Sequence, residues 1–238
     1  MARRHLFFIL LALAAAALFA RLGAWQLSRL RERRARNALV AARLALPPVS
    51  PAELPRDTGL ARFRRVQVRG EYDYAHEIVL TNRSREGSPG VYLVTPLRLP
   101  GSDTAVLITR GWVYSPDGAT VDVAPWRERS DTALTGFVEP MPSGRRGSPT
   151  IRDRPSALRW LSREEVVRRT GYPVTPYTVV LLGDSAGGGD SVPPRLTRPP
   201  LDEGPHLNYA IQWFSFTLIA LVGTGVFLAA ERRKQTRR

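Results

Sequence analysis

The chain has 238 residues, is 43% hydrophobic and carries a formal net charge of +14, almost all of it from arginine. It has no cysteine, which excludes disulfides, thiolate metal sites, cysteine-held iron–sulfur clusters and a cysteine nucleophile. Met1 and Met141 are too few for a copper carrier built on soft sulfur ligands, and no nucleic-acid recognition motif accompanies the basic charge.

Leu6 to Ala20 is an unbroken apolar run behind Arg3 and Arg4. With Arg21 reaching back to the interface, the run continues to Trp25. That is about 20 residues, or about 30 Å as a helix, enough to cross the hydrocarbon of a bilayer. A basic start, an apolar core and small residues near Ala20 and Ala24 also fit a secretory signal peptide. Leu27 to Leu46 predicts a helical stalk rich in leucine, alanine and arginine, stopped by Pro47-Pro48. Residues 47–61 read as a proline-containing connection.

From Arg62 the pattern changes to short β-rich runs. Strands are predicted at 65–69, 77–82, 90–99, 104–113, 132–138 and 177–182. Residues 158–170 have helical spacing, with Ser162 as an N-cap and Glu165 three positions on. Gly187-Gly188-Gly189 reads as a flexible linker, not a phosphate loop, and 193–200 as a loose return. The middle is expected to be one α+β domain, mostly antiparallel β. A second apolar run, His206 to Ala230, precedes a basic tail of Arg232, Arg233, Lys234, Arg237 and Arg238.

The expected fold class is a membrane protein in which two transmembrane helices flank one extramembrane domain. Its parts are a cytoplasmic N-terminus at 1–5, a first span at 6–25, an outer-face domain at 26–205 with the stalk at 27–46, a second span at 206–230 and a cytoplasmic tail at 231–238. Arg29, Arg31, Arg33, Arg34 and Arg36 would by local count hold the stalk in the cytoplasm, against the tail cluster. Long domains cross largely regardless of charge, so the tail is taken to decide. Both termini are then cytoplasmic and the middle is periplasmic, in a multi-pass protein of a bacterial inner membrane. No transit peptide is visible.

His206 opens the second span, and helical spacing places Tyr209, Ala210, Trp213 and Thr217 on its face. A neutral imidazole above an aromatic wall can ligate haem iron; it can equally be a solvated histidine in an aromatic belt. Glu139-Pro140 and Asp202-Glu203 read as turn or surface carboxylates, with no partner histidine or nucleophile near them in sequence. His76 reads as a surface residue, His5 flanks the first span, and three histidines so spread make no zinc cluster. Ser185 lacks the glycines of a nucleophile elbow. Arg110-Gly111-Trp112 closes an apolar strand. Either Trp112 packs in the core, or Arg110 and Trp112 form a surface fit to hold a carboxylate-bearing ligand or a partner.

Taken together, five segments resemble the surfeit locus protein 1 family, the cytochrome c oxidase biogenesis proteins. They are Trp25-Gln26-Leu27 with Arg29; Phe63 to Tyr72, ending Gly70-Glu71-Tyr72; Gly90-Val91-Tyr92-Leu93-Val94-Thr95-Pro96-Leu97; Val106 to Val113, containing Arg110-Gly111-Trp112; and His206-Leu207-Asn208-Tyr209-Ala210-Ile211-Gln212-Trp213-Phe214. Thr109 stands where the family commonly has asparagine, and Gly204-Pro205 where an asparagine-containing pair is usual. The resemblance implies a non-enzymatic assembly factor for haem-copper oxidases that handles haem a on its way to subunit I. It implies His206 as the haem contact, Tyr209 and Trp213 as its wall, and cytochrome c oxidase subunit I and the haem a synthase as partners. A scaffold of the same family that never binds haem is the alternative. A membrane-tethered hydrolase would need a clustered acid, base and nucleophile, which the sequence does not display.

Overall fold

The computed structural model describes residues 2–128, 133–183 and 192–236. Thr132, Ser185, Gly187 to Gly189, Arg237 and Arg238, on which expectations rested, lie outside the described residues. Four α-helices are described: α1 (Ala2–Ala45), α2 (Thr58–Ala61), α3 (Arg163–Thr170) and α4 (His206–Thr236). The strands are β1 (Arg65–Val68), β2 (Glu71–Tyr72), β3 (Ile78–Arg85), β4 (Ser88–Arg98), β5 (Ala105–Tyr114), β6 (Leu134–Pro140), β7 (Thr150–Ile151), β8 (Arg154–Leu158) and β9 (Val174–Leu181). The chain divides into two units, residues 1–41 with 200–238, and residues 42–199.

In the first unit α1 and α4 run side by side and antiparallel. His5 Nδ1 lies 3.8 Å from Glu231, Phe19 stacks on Trp213 at 5.7 Å, and Arg33 and Arg34 bond Asp202 and Glu203 at 3.1 and 2.8 Å. The seam is built on small residues. Ala16, Gly23 and Ala210 are buried, and a Cβ on Gly23 would come within 2.9 Å of the Phe214 ring. Close approach of this kind is how apolar helices associate where water cannot drive them together. Both helices are long and apolar enough to cross a membrane. The expected span and stalk prove to be one uninterrupted helix, because nothing between Trp25 and Leu27 breaks it; it ends at Ala45, just before Pro47-Pro48.

The second unit is a mixed, mostly antiparallel sheet in the order β1-β6-β9-β5-β4-β3-β8-β7, with β2 also paired to β4. Among the strands of the described residues, β3 with β8 and β5 with β9 run parallel. The central strands are covered on both faces. Val106 and Ile108 join Val66, Leu97, Val138 and Val179 on one side, while Ala105 and Leu107 join Ile78, Leu158 and Val166 on the other. Double coverage is why β5 reads as a continuous apolar run rather than an alternation.

Helix α3 supplies part of that second cover. Ser162 Oγ accepts from the Glu165 N–H at 3.3 Å, and Gly171 closes the helix in the left-handed conformation at φ 72°. It begins at Arg163 rather than at Leu158, because Ala157 and Leu158 pair instead with Val79 and Leu80 of β3. Burying those two residues in the sheet outweighs the helical spacing of the segment.

Gly136 in β6 marks a close approach of β6 to β9: a Cβ there would sit 2.4 Å from the Val180 carbonyl oxygen. Gly136→Ala is expected to destabilise the protein by on the order of 1–3 kcal/mol, the usual cost of overpacking. Thermal unfolding of the full chain in detergent measures it, and an unchanged midpoint would contradict the contact.

Candidate functional site

His206 is the first residue of α4 and half-buried. Its Nδ1 meets Gln26 Oε1 at 2.9 Å. An amide oxygen is an acceptor, so the contact suits the tautomer with its proton on Nδ1, which leaves Nε2 open; no described residue bonds that nitrogen. Gln26, from the middle of α1, is buried. Of the four residues expected on the face of His206, Ala210, Trp213 and Thr217 follow the seam with α1. Tyr209 lies on its flank, 46% exposed. Trp213 is stacked on Phe19 and meets Phe216 edge-on at 5.9 Å. An apolar groove of about 400 Å³ lies further along the helix pair, lined by Phe8, Ala12, Ile219, Gly223 and Phe227; His206 is not part of it.

In the sheet unit, Arg110 is 0% exposed. The β4–β5 register explains its position. Leu93 lies opposite Gly111 and Val94 opposite Thr109, so Arg110 is the extra residue of a β-bulge, a device that re-aims a side chain. Its Nε donates to Thr95 Oγ1 at 2.9 Å, and one terminal nitrogen donates to Glu128 Oε1 at 3.0 Å and to the Trp126 carbonyl. The other donates to Glu77. Arg195 closes the set: it bonds both oxygens of Glu128 and, at 2.7 Å, the Arg110 carbonyl. Tyr74 exchanges two hydrogen bonds with the Glu128 backbone, at 2.7 and 2.8 Å, and the Arg110 guanidinium lies 5.1 Å from its ring.

Two arginines and two glutamates thus neutralise one another inside the domain. Burial works against the Arg110 charge, but Glu77 above all outweighs it and holds the guanidinium above its usual range. Burial also pushes the Tyr72 hydroxyl well above the ordinary phenol range, with the charge of Glu128 adding to it. The Tyr72 hydroxyl and Glu77 Oε2 are buried without a partner among the described residues.

The surface expected at Arg110 is therefore corrected: its guanidinium is spent on protein carboxylates. Trp112 is half-buried, with Nε1 3.4 Å from the Arg83 carbonyl and the Arg85 guanidinium 5.9 Å from its ring. Glu139 is held by Arg62 at 2.7 and 3.3 Å. His76 is not a free surface residue. Its Nδ1 lies 2.7 Å from Asp73 Oδ2, which also accepts from the Tyr172 hydroxyl at 2.7 Å. No serine or threonine hydroxyl is bonded to His76 among the described residues.

Sequence reading missed Gln26, Glu77, Glu128 and Arg195. One signal was available: an arginine inside an apolar strand requires a buried carboxylate. Which carboxylate was not readable, since Glu77 and Glu128 lie 33 and 18 residues away.

A sequence model of the SURF1 family matches residues 13–218, a stretch that contains both the Arg110 network and the His206–Gln26 pair. The chain belongs to the SURF1 family. It is 30% identical over 226 residues to uncharacterized SURF1-like proteins of Mycobacterium bovis and Mycobacterium tuberculosis, covering 92% of this chain and 81% of theirs. A SURF1-like protein of Rickettsia conorii is 26% identical over 204 residues, 84% of this chain and 82% of that one. The surfeit locus protein 1 of Arabidopsis thaliana is 30% identical over 130 residues, 49% of this chain and 34% of that protein. SURF1 proteins are known generally as cytochrome oxidase assembly factors and are membrane-associated.

Two tests follow the SURF1 domain's ionic core. Glu77→Ala leaves Arg110 short of a buried partner and is expected to cost about 3–5 kcal/mol; Arg110→Met with Glu77→Leu, which removes both charges, is expected to cost less. Denaturant unfolding of the full chain compares them, and equal losses would contradict the pairing. At Asp73, burial raises the carboxyl pKa, but the Tyr172 and His76 hydrogen bonds outweigh it, so the group titrates below its ordinary value. A carboxylate with a depressed folded-state pKa adds stability that is full above the ordinary carboxylate range and lost as pH falls through the folded value. Tyr172→Phe is expected to remove about 1 kcal/mol at neutral pH and to flatten the acid side of the stability curve. An acid limb identical to the parent's would count against it.

Proposed function

We propose that this SURF1 protein serves the maturation of a haem-copper cytochrome c oxidase as a non-enzymatic factor that holds haem a at the membrane interface before its insertion into subunit I. The observation that carries the reading is the His206–Gln26 pair at the start of α4, within a chain whose family assembles oxidases. Ligand histidines are commonly fixed through their second ring nitrogen, and the Gln26 contact at Nδ1 supports this for His206, since it leaves Nε2 without a partner among the described residues. Exposed apolar side chains stand beside it, Leu207 and Tyr209 on α4 and Trp25 on α1, and would shelter the macrocycle, with Trp213 behind. His206 would hold such a haem through its iron, by way of Nε2. A single imidazole suits cargo, which must be released as well as held.

In this reading the chain sits in a bacterial inner membrane with both termini cytoplasmic. The antiparallel pairing of α1 and α4 supports the shared side, and the sheet unit then faces the periplasm. The subunit I polypeptide and the haem a synthase are its proposed partners. A scaffold that binds oxidase subunits without haem has one observation in its favour: Trp213 is already stacked on Phe19.

The test is a reduced-minus-oxidised difference spectrum of the protein purified in detergent from cells that make haem a. The parent is expected to show haem a, His206→Ala to lose it, and Gln26→Leu to bind it about tenfold or more weakly. No haem in the parent, from cells with ample haem a, would favour the scaffold.

A further inference from the structure

A cavity of about 200 Å³ opens in the sheet unit between β3, β4 and the segment after β6, and its lining includes Arg83, Tyr92, Glu139, Arg145, Trp160 and Leu161. Arg83 is placed there by a second bulge. Leu80 lies opposite Tyr92, but Arg83 lies opposite Gly90, leaving one extra residue on β3. Asn82 takes the left-handed conformation at φ 57°, and its N–H bonds the Gly118 carbonyl at 2.7 Å. Such a conformation is uncommon outside glycine and is held only where the surroundings require it.

The charge in this cavity is not balanced. Arg83 places its guanidinium 5.6 Å from the Tyr92 ring and gives one hydrogen bond, to the Arg159 carbonyl at 3.2 Å. Its Nε is buried with no partner. Arg145 is exposed, 5.6 Å from the Trp160 ring. Among the described residues neither has a carboxylate partner, and the one carboxylate in the lining, Glu139, is taken in both oxygens by Arg62. Burial lowers the Arg83 pKa; Tyr92 opposes this and the charge of Arg145 adds to it. A buried donor without an acceptor, facing a second cation across an apolar wall, is costly, and a bound anion relieves both.

We propose that this pocket binds a small carboxylate with an apolar or aromatic body, its charge between Arg83 and Arg145 and its body against Tyr92, Trp160 and Leu161. Its size, below the roughly 300–1,000 Å³ of sites for drug-sized ligands, limits the occupant to about ten heavy atoms. The apolar wall distinguishes such a ligand from inorganic phosphate, which would leave those side chains uncovered.

The probe is benzoate, titrated calorimetrically into the full chain in detergent against a detergent blank, beside benzamide and inorganic phosphate. Saturable benzoate binding is expected, with benzamide, nearly the same shape without charge, weaker by about tenfold or more. Arg145→Ala, at an exposed position that leaves the fold intact, is expected to weaken benzoate by a similar factor, and Arg83→Met to abolish it. No saturable binding, equal binding of benzamide, or benzoate affinity unchanged in Arg145→Ala would overturn the proposal. Phosphate binding as tightly as benzoate would overturn the apolar body.

Discussion

A fully buried guanidinium sets the terms for the sheet domain. Arg110 has no exposure, and an unpaired charge there would be prohibitively expensive. Its partners come from separate places: Glu77 just before β3, Thr95 in β4, Glu128 after the turn at Ala124–Trp126, and Arg195 from the return segment. Regular hydrogen bonding positions the strands. The turn and the return have fewer such bonds, among them Trp112 N–H to the Pro194 carbonyl at 2.9 Å, and the ions add to them. Buried ion pairs seldom add much net stability over an apolar equivalent, but a wrong register that strands a charge is penalised heavily. The network is thus better understood as fixing which loops lie over which strands than as a source of stability.

The terminal helices work on a different principle. Among the described residues they have no buried ion pair along their apolar stretch, and they associate through small residues and stacked rings, with charged contacts near the ends. The Arg33–Asp202 and Arg34–Glu203 pairs are exposed, so each contributes little energy, yet together with Asn37 on the Leu201 and Asp202 carbonyls they fix how the chain approaches His206. Gln26 then orients the imidazole. In this arrangement the imidazole is held in place by residues far from it in sequence.

Much of this architecture is legible in the sequence because it depends on local pattern. The apolar runs, the stop at Pro47-Pro48, the cap at Ser162 and the strand at Ala105–Tyr114 follow from composition and periodicity over a few residues. Strand β8 leaves no local signal, and the helical spacing from Leu158 overruns its last residue, because Ala157 and Leu158 owe their state to β3, far away in sequence. The same reason hid the Arg110 network and the role of Gln26, 180 residues from His206. Both bulges, at Arg110 and before Arg83, are mismatches between strands and leave no mark on either strand alone. Side chains that pair at long range are what single-sequence reading cannot supply, and they are what shapes both candidate sites.

The central claim is that this chain matures an oxidase through His206. It is tested most directly by deleting the gene in its host and measuring haem a content and cytochrome c oxidase activity of the membranes, after complementation with the parent or with His206→Ala at matched protein levels. The account expects both quantities to fall on deletion, to return with the parent, and to remain low with the variant. Full oxidase activity and haem a content in the deletion strain would contradict a role in assembly, and full restoration by His206→Ala would contradict the site.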